Sequence, residues 1–349
     1  MHRQIITRID EELDRFASEF REPPVSGLPK AFTAPIEAFI RRKGKRIRSS
    51  LFAVAYRGYS SRRPRNLFRS AASLELLHDF ILIHDDLIDH AATRRGEASM
   101  HKSLDSLFGD MGSRRFKGSD MALVVGDMLY AMALHGFLTI GETPARKQRA
   151  FDLLTKTAIY TGCGELDELI HTLKPIEKMT VDDIYRIYDW KTGYYTFSAP
   201  LAMGATLGGA SRKEVDKLLK TGEHLGRAFQ IRDDLLDLFG SGDRFGKPAL
   251  TDLKEGKKTL PVFYAHRNTR GATRKQLMTI IEDPKAKMKD IRAAAKIMVD
   301  SGAADDATEE MQRLVTLALE TLTSTRMKSP QLNFLCGYLH ELLQPPDPE

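Results

Sequence analysis

The chain has 349 residues, of which 42% are hydrophobic and 29% are charged, and its formal net charge is +6 at pH 7. This composition is typical of a globular protein and excludes a disordered one, and the length is sufficient to bury a sizeable core. The mild excess of positive charge favours anionic partners, among which nucleic acid, phosphorylated metabolites and acidic membranes all stay open.

The N-terminal residues predict a helix within residues 1–25, because charged and apolar residues in MHRQIITRIDEELDRF recur at helical spacing. A secretory signal peptide would have a continuous apolar centre there, so we expect no export. The two cysteines, Cys163 and Cys336, lack the spacing of a disulfide framework or of a cysteine zinc site. A reducing cytoplasm is therefore the expected location.

Apolar residues continue to recur at spacings of three and four residues along the chain, and no convincing run alternates with a period of two residues. We therefore predict an all-α fold of roughly ten or more helices. Residues 1–349 are expected to form a single domain, since no Gly- and Pro-rich break is long enough to be a linker, and residues 345–349 are expected to fray. After the first helix, the helical pattern covers residues 30–57, 65–90, 119–140, 144–172, 180–208, 212–238 and 257–267.

The most hydrophobic stretch, residues 121–141, is long enough to span a bilayer. Asp127 and His135 lie near its middle, where ionisable groups are costly in a membrane. We interpret the stretch as a buried core helix rather than as a transmembrane segment.

One short acidic pattern occurs twice, as DDLID beginning at Asp85 and as DDLLD beginning at Asp233. Positions i and i+4 of a helix share a face, so Asp85 and Asp89 present two carboxylates together, as do Asp233 and Asp237. Such oxygen ligands suit Mg²⁺, which completes its coordination with water and substrate phosphate. A single copy is more often a solvated helix face, but both copies lie in strongly apolar sequence, which favours a metal-bridged diphosphate.

Basic residues occur where such a diphosphate would need them. Arg94 and Arg95 follow the first acidic pattern, Lys247 follows the second, and residues 41–48 read RRKGKRIR. Arginine offers a bidentate fork and lysine a point charge, and both are common phosphate ligands. Taken singly, each basic run is also consistent with a solvated surface, and RRKGKRIR with a nucleic-acid patch.

Four segments together resemble the trans-isoprenyl diphosphate synthases, also called polyprenyl synthetases, and in particular their short-chain members. The resemblance covers roughly residues 40–265 and rests on the order, spacing and type of residues. The segments are GKRIRSSLF (44–52), LELLHDFILIHDDLIDHAATRRG (74–96), DWKTGYYTFSAPLAMGA (189–205) and FQIRDDLLDLFG with GKPALTDLKEGKKTLP (229–261).

This resemblance implies a helical bundle around a central cavity and a Mg²⁺-dependent prenyltransferase, with three metal ions in the closed complex. The enzyme would ionise an allylic diphosphate (dimethylallyl, geranyl or farnesyl), let isopentenyl diphosphate attack the cation and release a product five carbons longer. The released diphosphate would be the base that takes the proton. The family's habit also implies a homodimer, with residues 121–140 as a candidate interface.

The resemblance assigns roles to individual residues. The metal ligands would be Asp85, Asp89 and Asp233, with further catalytic aspartates at Asp86, Asp234 and Asp237. The ligands of the allylic diphosphate would be Arg94, Lys191, Thr192, Gln230, Lys247 and Lys257, of which Lys191 and Lys247 would also be catalytic. The ligands of isopentenyl diphosphate would be Lys45, Arg48, His78 and Arg95.

His78 lies two helical turns before Asp85, on the same face, so helical geometry supports its assignment. A lone helical histidine is otherwise more often structural. Two residues depart from the family pattern: Ser49 replaces a usual proline, and Glu165 stands where the pattern has glutamine. Glu165 would alter the hydrogen bonds around the site, or GELDE (164–168) would simply be an acidic helix start.

Product length should depend on the side chains above the first acidic pattern. On an ideal helix Ile81 lies about 40° from Asp85 and roughly 6 Å away, and Leu77 lies near the same face. Spacing alone makes Phe80 an ordinary core residue, but the resemblance associates an aromatic there with short products. We expect geranylgeranyl diphosphate, with twenty carbons, and keep farnesyl diphosphate, with fifteen, as the alternative.

Three other functions fit the sequence less well. A terpene cyclase or head-to-head synthase would not need Lys45, Arg48 and His78 together with two complete acidic patterns. A noncatalytic prenyltransferase subunit would be expected to have lost some of the aspartates, and none is missing. A nucleic-acid-binding protein would leave both acidic patterns unexplained, so we expect no nucleic-acid partner.

Overall fold

The computed structural model describes residues 2–21, 27–94, 96–108, 115–239 and 250–346. Its helices confirm the all-α prediction, and the strands of the described residues form one short antiparallel hairpin, β1 (Thr93–Arg94) with β2 (Glu97–Ala98). Short 3₁₀ turns occur at Glu19–Arg21 and Ile176–Lys178.

The α-helices are numbered in chain order. They are α1 His2–Ser18, α2 Lys30–Ile40, α3 Ile47–Tyr59, α4 Leu67–Ile88, α5 Met100–Ser106, α6 Gly118–Leu138, α7 Pro144–Thr172, α8 Val181–Ile187, α9 Ala199–Gly208, α10 Arg212–Phe239, α11 Thr251–Lys254, α12 Leu260–Asn268, α13 Gly271–Ile281, α14 Met288–Asp300, α15 Ala303–Thr323 and α16 Ser329–Leu342.

Helix α4 lies inside the bundle. It packs against α6, α3 and α1, and residues 70–78 are all buried, which is why apolar residues such as Leu74 and Leu76 are not confined to one stripe. Helix α10 packs against α15 on one side and against residues 188–198 on another. Both acidic patterns lie at the C-terminal ends of these two long helices.

The prediction of one helix over residues 30–57 is wrong, because α2 ends at Ile40 and α3 begins at Ile47. Arg46, directly before α3, has φ +51° and ψ +40°, a left-handed conformation that interrupts a right-handed helix. Its side chain is buried and pairs with Asp10 of α1 at 2.9 Å. A tertiary contact therefore overrides the local helical pattern.

The helical pattern over residues 180–208 contains a wider turn. After α8, Tyr188–Ser198 form a π-helical segment that continues into α9. Gly193 of this segment lies so close to α10 that a Cβ atom on Gly226 would be 2.3 Å from the Cα of Gly193. π-Helical segments often occur at functional sites, because they change the direction of the side chains that follow.

Helix α6 is long and apolar enough to cross a membrane, although a core helix passes the same test. Ala122, Leu129 and Phe137 are fully buried, and α6 packs against α4, whereas Leu123 and Val124 are 51% and 57% exposed. Only one face of α6 therefore has the burial expected of a core helix.

Candidate active site

A cavity of about 990 Å³ lies between α3, α4, α7, the π-helical segment and α10. It collects most of the side chains that the sequence pointed to. Those in its wall are Lys45, Arg48, His78, Ile81, Asp85, Asp89, Arg94, Lys191, Thr192, Gln230, Asp233, Asp234, Asp237 and Lys257.

Three of the other expected site residues are not part of the described lining. The described lining does not include Asp86, Phe80 or Leu77, and Arg95 and Lys247 lie outside the described residues. Leu77 is 2% exposed. The Phe80 ring packs towards α6, with centroid distances of 5.0 Å to Tyr130 and 4.7 Å to His84 of its own helix.

The first acidic pattern ends α4, with Asp89 as its C-cap. Asp85 and Asp89 line the cavity, whereas Asp86 is fully buried. Arg94 of β1 bridges the neighbouring pair, donating from Nη2 to Asp85 and from Nε to Asp86, both at 2.6 Å. Burial and the charge of Asp85 raise the pKa of Asp89. The positive charge expected near this pattern is therefore supplied by Arg94.

The three aspartates of the second pattern have different surroundings. Asp233 has a 44% exposed side chain and faces the cavity. Asp234 is 5% exposed and accepts hydrogen bonds from the Tyr188 hydroxyl and, at 3.1 Å, from Gln230. Burial and nearby carboxylates raise the pKa of Asp234. These contacts tie Asp234 to Tyr188 of the π-helical segment and to Gln230 in the cavity wall.

Asp237, the third member, anchors the chain beyond the second pattern. Its two carboxylate oxygens accept the backbone N–H groups of Thr251 and Asp252, each at 3.0 Å. These bonds place α11, and with it Lys257, beside the cavity. The Lys257 ammonium is 2.8 Å from Glu255 and 3.4 Å from Asp252.

Lys191, on the π-helical segment, is surrounded by carboxylates. Its Nζ lies 2.5 Å from Glu168, 2.9 Å from Glu165 and 3.7 Å from Asp85. Burial disfavours the charged ammonium, but these carboxylates outweigh burial and raise its pKa. Gly164 permits the approach, since a Cβ there would be 2.3 Å from the Lys191 backbone nitrogen.

The position of residues 164–168 resolves one alternative left by the sequence. They lie inside α7, which begins at Pro144 and ends at Thr172. The interpretation of GELDE as an acidic helix start is therefore wrong. Glu168 was missed as a cavity residue by sequence reasoning. Its spacing of three from Glu165 places both on one side of the helix, and that spacing could have found it.

A second basic region surrounds Arg48 at the start of α3. Arg48 donates to the Thr196 hydroxyl at 3.0 Å, and its guanidinium lies 4.4 Å from the centroid of the Tyr195 ring. The His78 ring is 5.9 Å from the same ring, and Lys45 lines the cavity nearby. The sequence pointed to the three basic residues but gave no reason to select Tyr195 or Thr196.

Within the described residues, no group of three or more acidic, histidine or cysteine side chains is close enough to hold a metal ion by itself. The cavity offers oxygen donors singly and in pairs, at Asp85, Asp89, Asp233 and Asp237. This donor set fits Mg²⁺, which binds proteins through one or two carboxylates and takes its other ligands from water and substrate phosphate. It does not fit a closed structural site.

The structure is a helical bundle that encloses carboxylates from the ends of two helices together with lysine and arginine side chains. It has the fold of the isoprenoid synthase class of enzymes. The chain belongs to the polyprenyl synthetase family, whose sequence profile matches residues 29–298. The family and the fold expected from the sequence are thereby confirmed.

Individual relatives agree with this assignment. Geranylfarnesyl diphosphate synthase of Aeropyrum pernix is 34% identical over 279 residues, which cover 78% of this chain and 81% of the relative. Geranylgeranyl diphosphate synthase of Methanosarcina mazei is 30% identical over 263 residues, which cover 75% of this chain and 74% of the relative. The protein is a chain-elongating prenyltransferase, as the sequence predicted, and the relatives' products differ in length.

The fold has close counterparts among solved structures. Geranylgeranyl pyrophosphate synthase from Corynebacterium glutamicum, complexed with isoprenyl diphosphate and magnesium, aligns over 99% of both chains with a TM-score of 0.87 and 23% identity. This likeness establishes the arrangement of the helices.

Proposed function

We propose that this chain condenses isopentenyl diphosphate with an allylic diphosphate in the cavity and releases diphosphate and geranylgeranyl diphosphate. The observation that carries the proposal is the composition of the cavity wall. Carboxylates from α4 and α10 and cations from two other segments line one space of about 990 Å³, with Lys191 3.7 Å from Asp85. Such a wall suits a substrate that is anionic at one end and bound through a cation.

Mg²⁺ would be held by Asp85, Asp89 and Asp233, with three ions in the closed complex as the family resemblance implies. Bound there, it would supply charge neutralisation to the departing diphosphate. The magnesium in the Corynebacterium glutamicum complex supports this proposal. Asp234 would act by fixing Gln230, to which it is hydrogen-bonded, and Asp86 by fixing Arg94.

Cations of the chain would bind the allylic diphosphate. As the allylic C–O bond breaks, negative charge collects on the leaving diphosphate, and the Lys191 ammonium and the Arg94 guanidinium stabilise it more than they stabilise the intact substrate. Both are held by carboxylates on α4 or α7, so they are positioned before substrate binds. The other proposed ligands of this diphosphate are Thr192, Gln230, Lys247 and Lys257.

Isopentenyl diphosphate would bind at the start of α3 through Lys45, Arg48, His78 and Arg95. Its terminal alkene carbon attacks the allylic cation, a new carbon–carbon bond forms, and a proton leaves to the released diphosphate. The apolar part of the wall, including Ile81 and Leu82, keeps water from the cation. The chain thus needs no nucleophilic side chain of its own.

Product assays test the reaction. Purified protein with Mg²⁺ and isopentenyl diphosphate should elongate at least one of dimethylallyl, geranyl and farnesyl diphosphate, with product lengths determined by mass spectrometry. Asp85→Ala and Asp233→Ala should lower turnover by orders of magnitude while the protein stays folded. Asp300→Ala is the matched control, since its side chain on α14 is 60% exposed and does not line the cavity. No product with any starter would refute the proposal.

We propose that Phe80 limits the product to twenty carbons. Its ring packs between α4 and α6 beside Tyr130, outside the described lining, whereas Ile81 lines the cavity and Leu77 is buried one turn further along α4. Phe80→Ala should lengthen the main product by at least one five-carbon unit. Ile81→Ala distinguishes the positions, because a folded Phe80→Ala protein with unchanged products would transfer the limiting role to Ile81 and Leu77.

We propose a cytoplasmic homodimer formed through α6 and α7. These neighbouring helices expose apolar side chains, with Leu123, Val124, Ile159, Leu166 and Ile170 all between 51% and 64% exposed. Apolar exposure of this extent typically marks an interface. Light scattering should give the mass of a dimer, and Val124→Glu with Leu166→Glu should give a folded monomer. A wild-type monomer at micromolar concentration would refute the proposal.

A further inference from the structure

Four chain turns meet at the end of the bundle away from the cavity mouth. The Arg65 carbonyl accepts the Gly141 backbone N–H at 3.0 Å, and the Gly58 carbonyl accepts that of Lys328 at 3.0 Å. Glu214 accepts the Arg326 backbone N–H at 2.6 Å. These contacts join residues 57–66, 139–149, 209–214 and 324–328 into one surface, which we call the basic end.

The basic end carries a large excess of positive charge. Its acidic residues are Glu142 and Glu214, which are 8% and 6% exposed and already engaged, since Glu142 accepts the Tyr56 hydroxyl and Glu214 the Tyr59 hydroxyl. Its eleven basic residues are Arg57, Arg62, Arg63, Arg65, Arg146, Lys147, Arg149, Arg212, Lys213, Arg326 and Lys328. The chain as a whole has a net charge of only +6. Positive charge is therefore concentrated at this end.

The guanidinium groups are crowded at the start of α4. Arg57 of α3 and Arg8 of α1 both lie against the Phe68 ring, at 5.2 and 5.1 Å from its centroid. Neither Arg57 nor Arg63 has an acidic partner among the described residues. Burial, followed by the charges of Arg63 and Arg8, lowers the pKa of Arg57. Like charges gathered in this way are stabilised when an anionic surface covers them.

The basic end is separate from the proposed reaction site. Along α4, nineteen positions separate Asp85 from Asn66, which is about 28 Å at 1.5 Å per residue. Along α3, Arg48 and Arg57 are about 14 Å apart by the same rise. None of the eleven basic residues lines the cavity where the two diphosphates are proposed to bind.

We propose that the basic end docks this protein reversibly on an anionic phospholipid surface. The surface is made of helix ends and turns. Its exposed cations, such as Arg63, Arg65 and Lys213, would contact the lipid headgroups at the same time. The choice of lipid rests on the proposed function: a twenty-carbon product partitions into bilayers, and its hydrocarbon would grow along α4 from Asp85 towards the basic end. The docking itself needs only the charges.

Vesicle co-sedimentation of the full chain tests the proposal without substrate. Binding to phosphatidylcholine vesicles containing phosphatidylglycerol should be strong at 50 mM NaCl and lost at 1 M, where the Debye length is about 3 Å. Each basic residue near such a surface strengthens binding about fivefold, so Arg63→Glu, Arg65→Glu and Lys213→Glu together should weaken it about a hundredfold or more. Product formation in detergent-free buffer should stay unchanged.

The matched control reverses three exposed lysines on another part of the bundle, Lys275, Lys285 and Lys289, giving the same change of net charge. It should keep at least a third of wild-type vesicle binding. Equal binding to neutral vesicles, equal loss in both triple variants, or preferential binding of DNA or RNA by wild type would overturn the proposal. Failure of the product assay with intact vesicle binding would instead count against the proposed function.

Discussion

Replacement of Glu75 by glutamine should weaken the binding of isopentenyl diphosphate and leave the chemical step nearly unchanged. Glu75 is 4% exposed on α4. It accepts the Ser49 hydroxyl at 2.7 Å and lies 3.7 Å from the Arg46 guanidinium. Arg46 is the residue whose left-handed backbone separates α2 from α3. Arg46 lies between Lys45 and Arg48 in the sequence. Glu75 therefore acts on the proposed binding site through Arg46.

The magnitude follows from two opposing contributions. A non-glycine residue in the left-handed region costs about 1–2 kcal/mol, so Arg46 keeps φ +51° only while its side chain is held. Hydrogen bonds and ion pairs to a charged partner contribute about 1.5–3 kcal/mol. Glutamine keeps one acceptor but loses the charge, and Asp10 still holds Arg46 at 2.9 Å. We expect a loss of about 2 kcal/mol, or roughly thirtyfold in KM for isopentenyl diphosphate.

Steady-state kinetics with each substrate varied in turn measures this effect. Glu75→Gln should raise KM for isopentenyl diphosphate about thirtyfold and change kcat and the allylic KM by less than about threefold. Adding Arg46→Gly should restore part of the loss, since glycine adopts positive φ without strain. An equal rise in both KM values, or a fall in kcat at unchanged KM for isopentenyl diphosphate, would refute the reasoning.

Two further predictions concern stability. The Lys174 ammonium donates to Asp183 at 2.9 Å and is the main cause of the lowered pKa of Asp183. This carboxylate therefore stabilises the fold above its unfolded pKa of about 3.9, and the stabilisation is lost as the pH falls. Asp183→Asn should therefore lower Tm at pH 7, with the two Tm values converging towards pH 2; a constant difference would contradict this. Gly226→Ala places a Cβ 2.3 Å from the Gly193 Cα and should cost about 1–3 kcal/mol or more in urea unfolding. Gly337→Ala is its control, with no heavy atom within 4 Å, and should be neutral or stabilising.

Helical spacing predicted part of the geometry of the site, whereas the family resemblance selected His78. His78, Asp85 and Asp89 were expected on one face of one helix, and all three line the cavity in α4. Spacing succeeds here because α4 is a regular helix from Leu67 to Ile88, so that a repeat of three and four residues corresponds to one direction in space.

Spacing fails where a distant segment decides the outcome. Asp234 follows Asp233 directly, and its burial depends on Tyr188, which lies on another element and donates to it. The break before α3 depends in the same way on Asp10 of α1 holding Arg46. Neither partner is identifiable from local periodicity, since the sequence near each site carries no record of which segment packs on it.

Two cations of the cavity, Arg94 and Lys191, are paired with cavity carboxylates. Arg94 bonds to Asp85 at 2.6 Å, and Lys191 lies within 3 Å of Glu165 and Glu168. A diphosphate alone would meet two cations that are already neutralised, and a metal ion alone would meet an Asp85 carboxylate that is already paired. With both present, Arg94 and Lys191 would pair with the diphosphate, and Asp85 would be released to hold a metal ion. On the proposed mechanism each therefore strengthens the binding of the other by the same factor. Glu165, where the family pattern has glutamine, is a second carboxylate beside Lys191 in addition to Glu168, and on this mechanism it would strengthen the coupling.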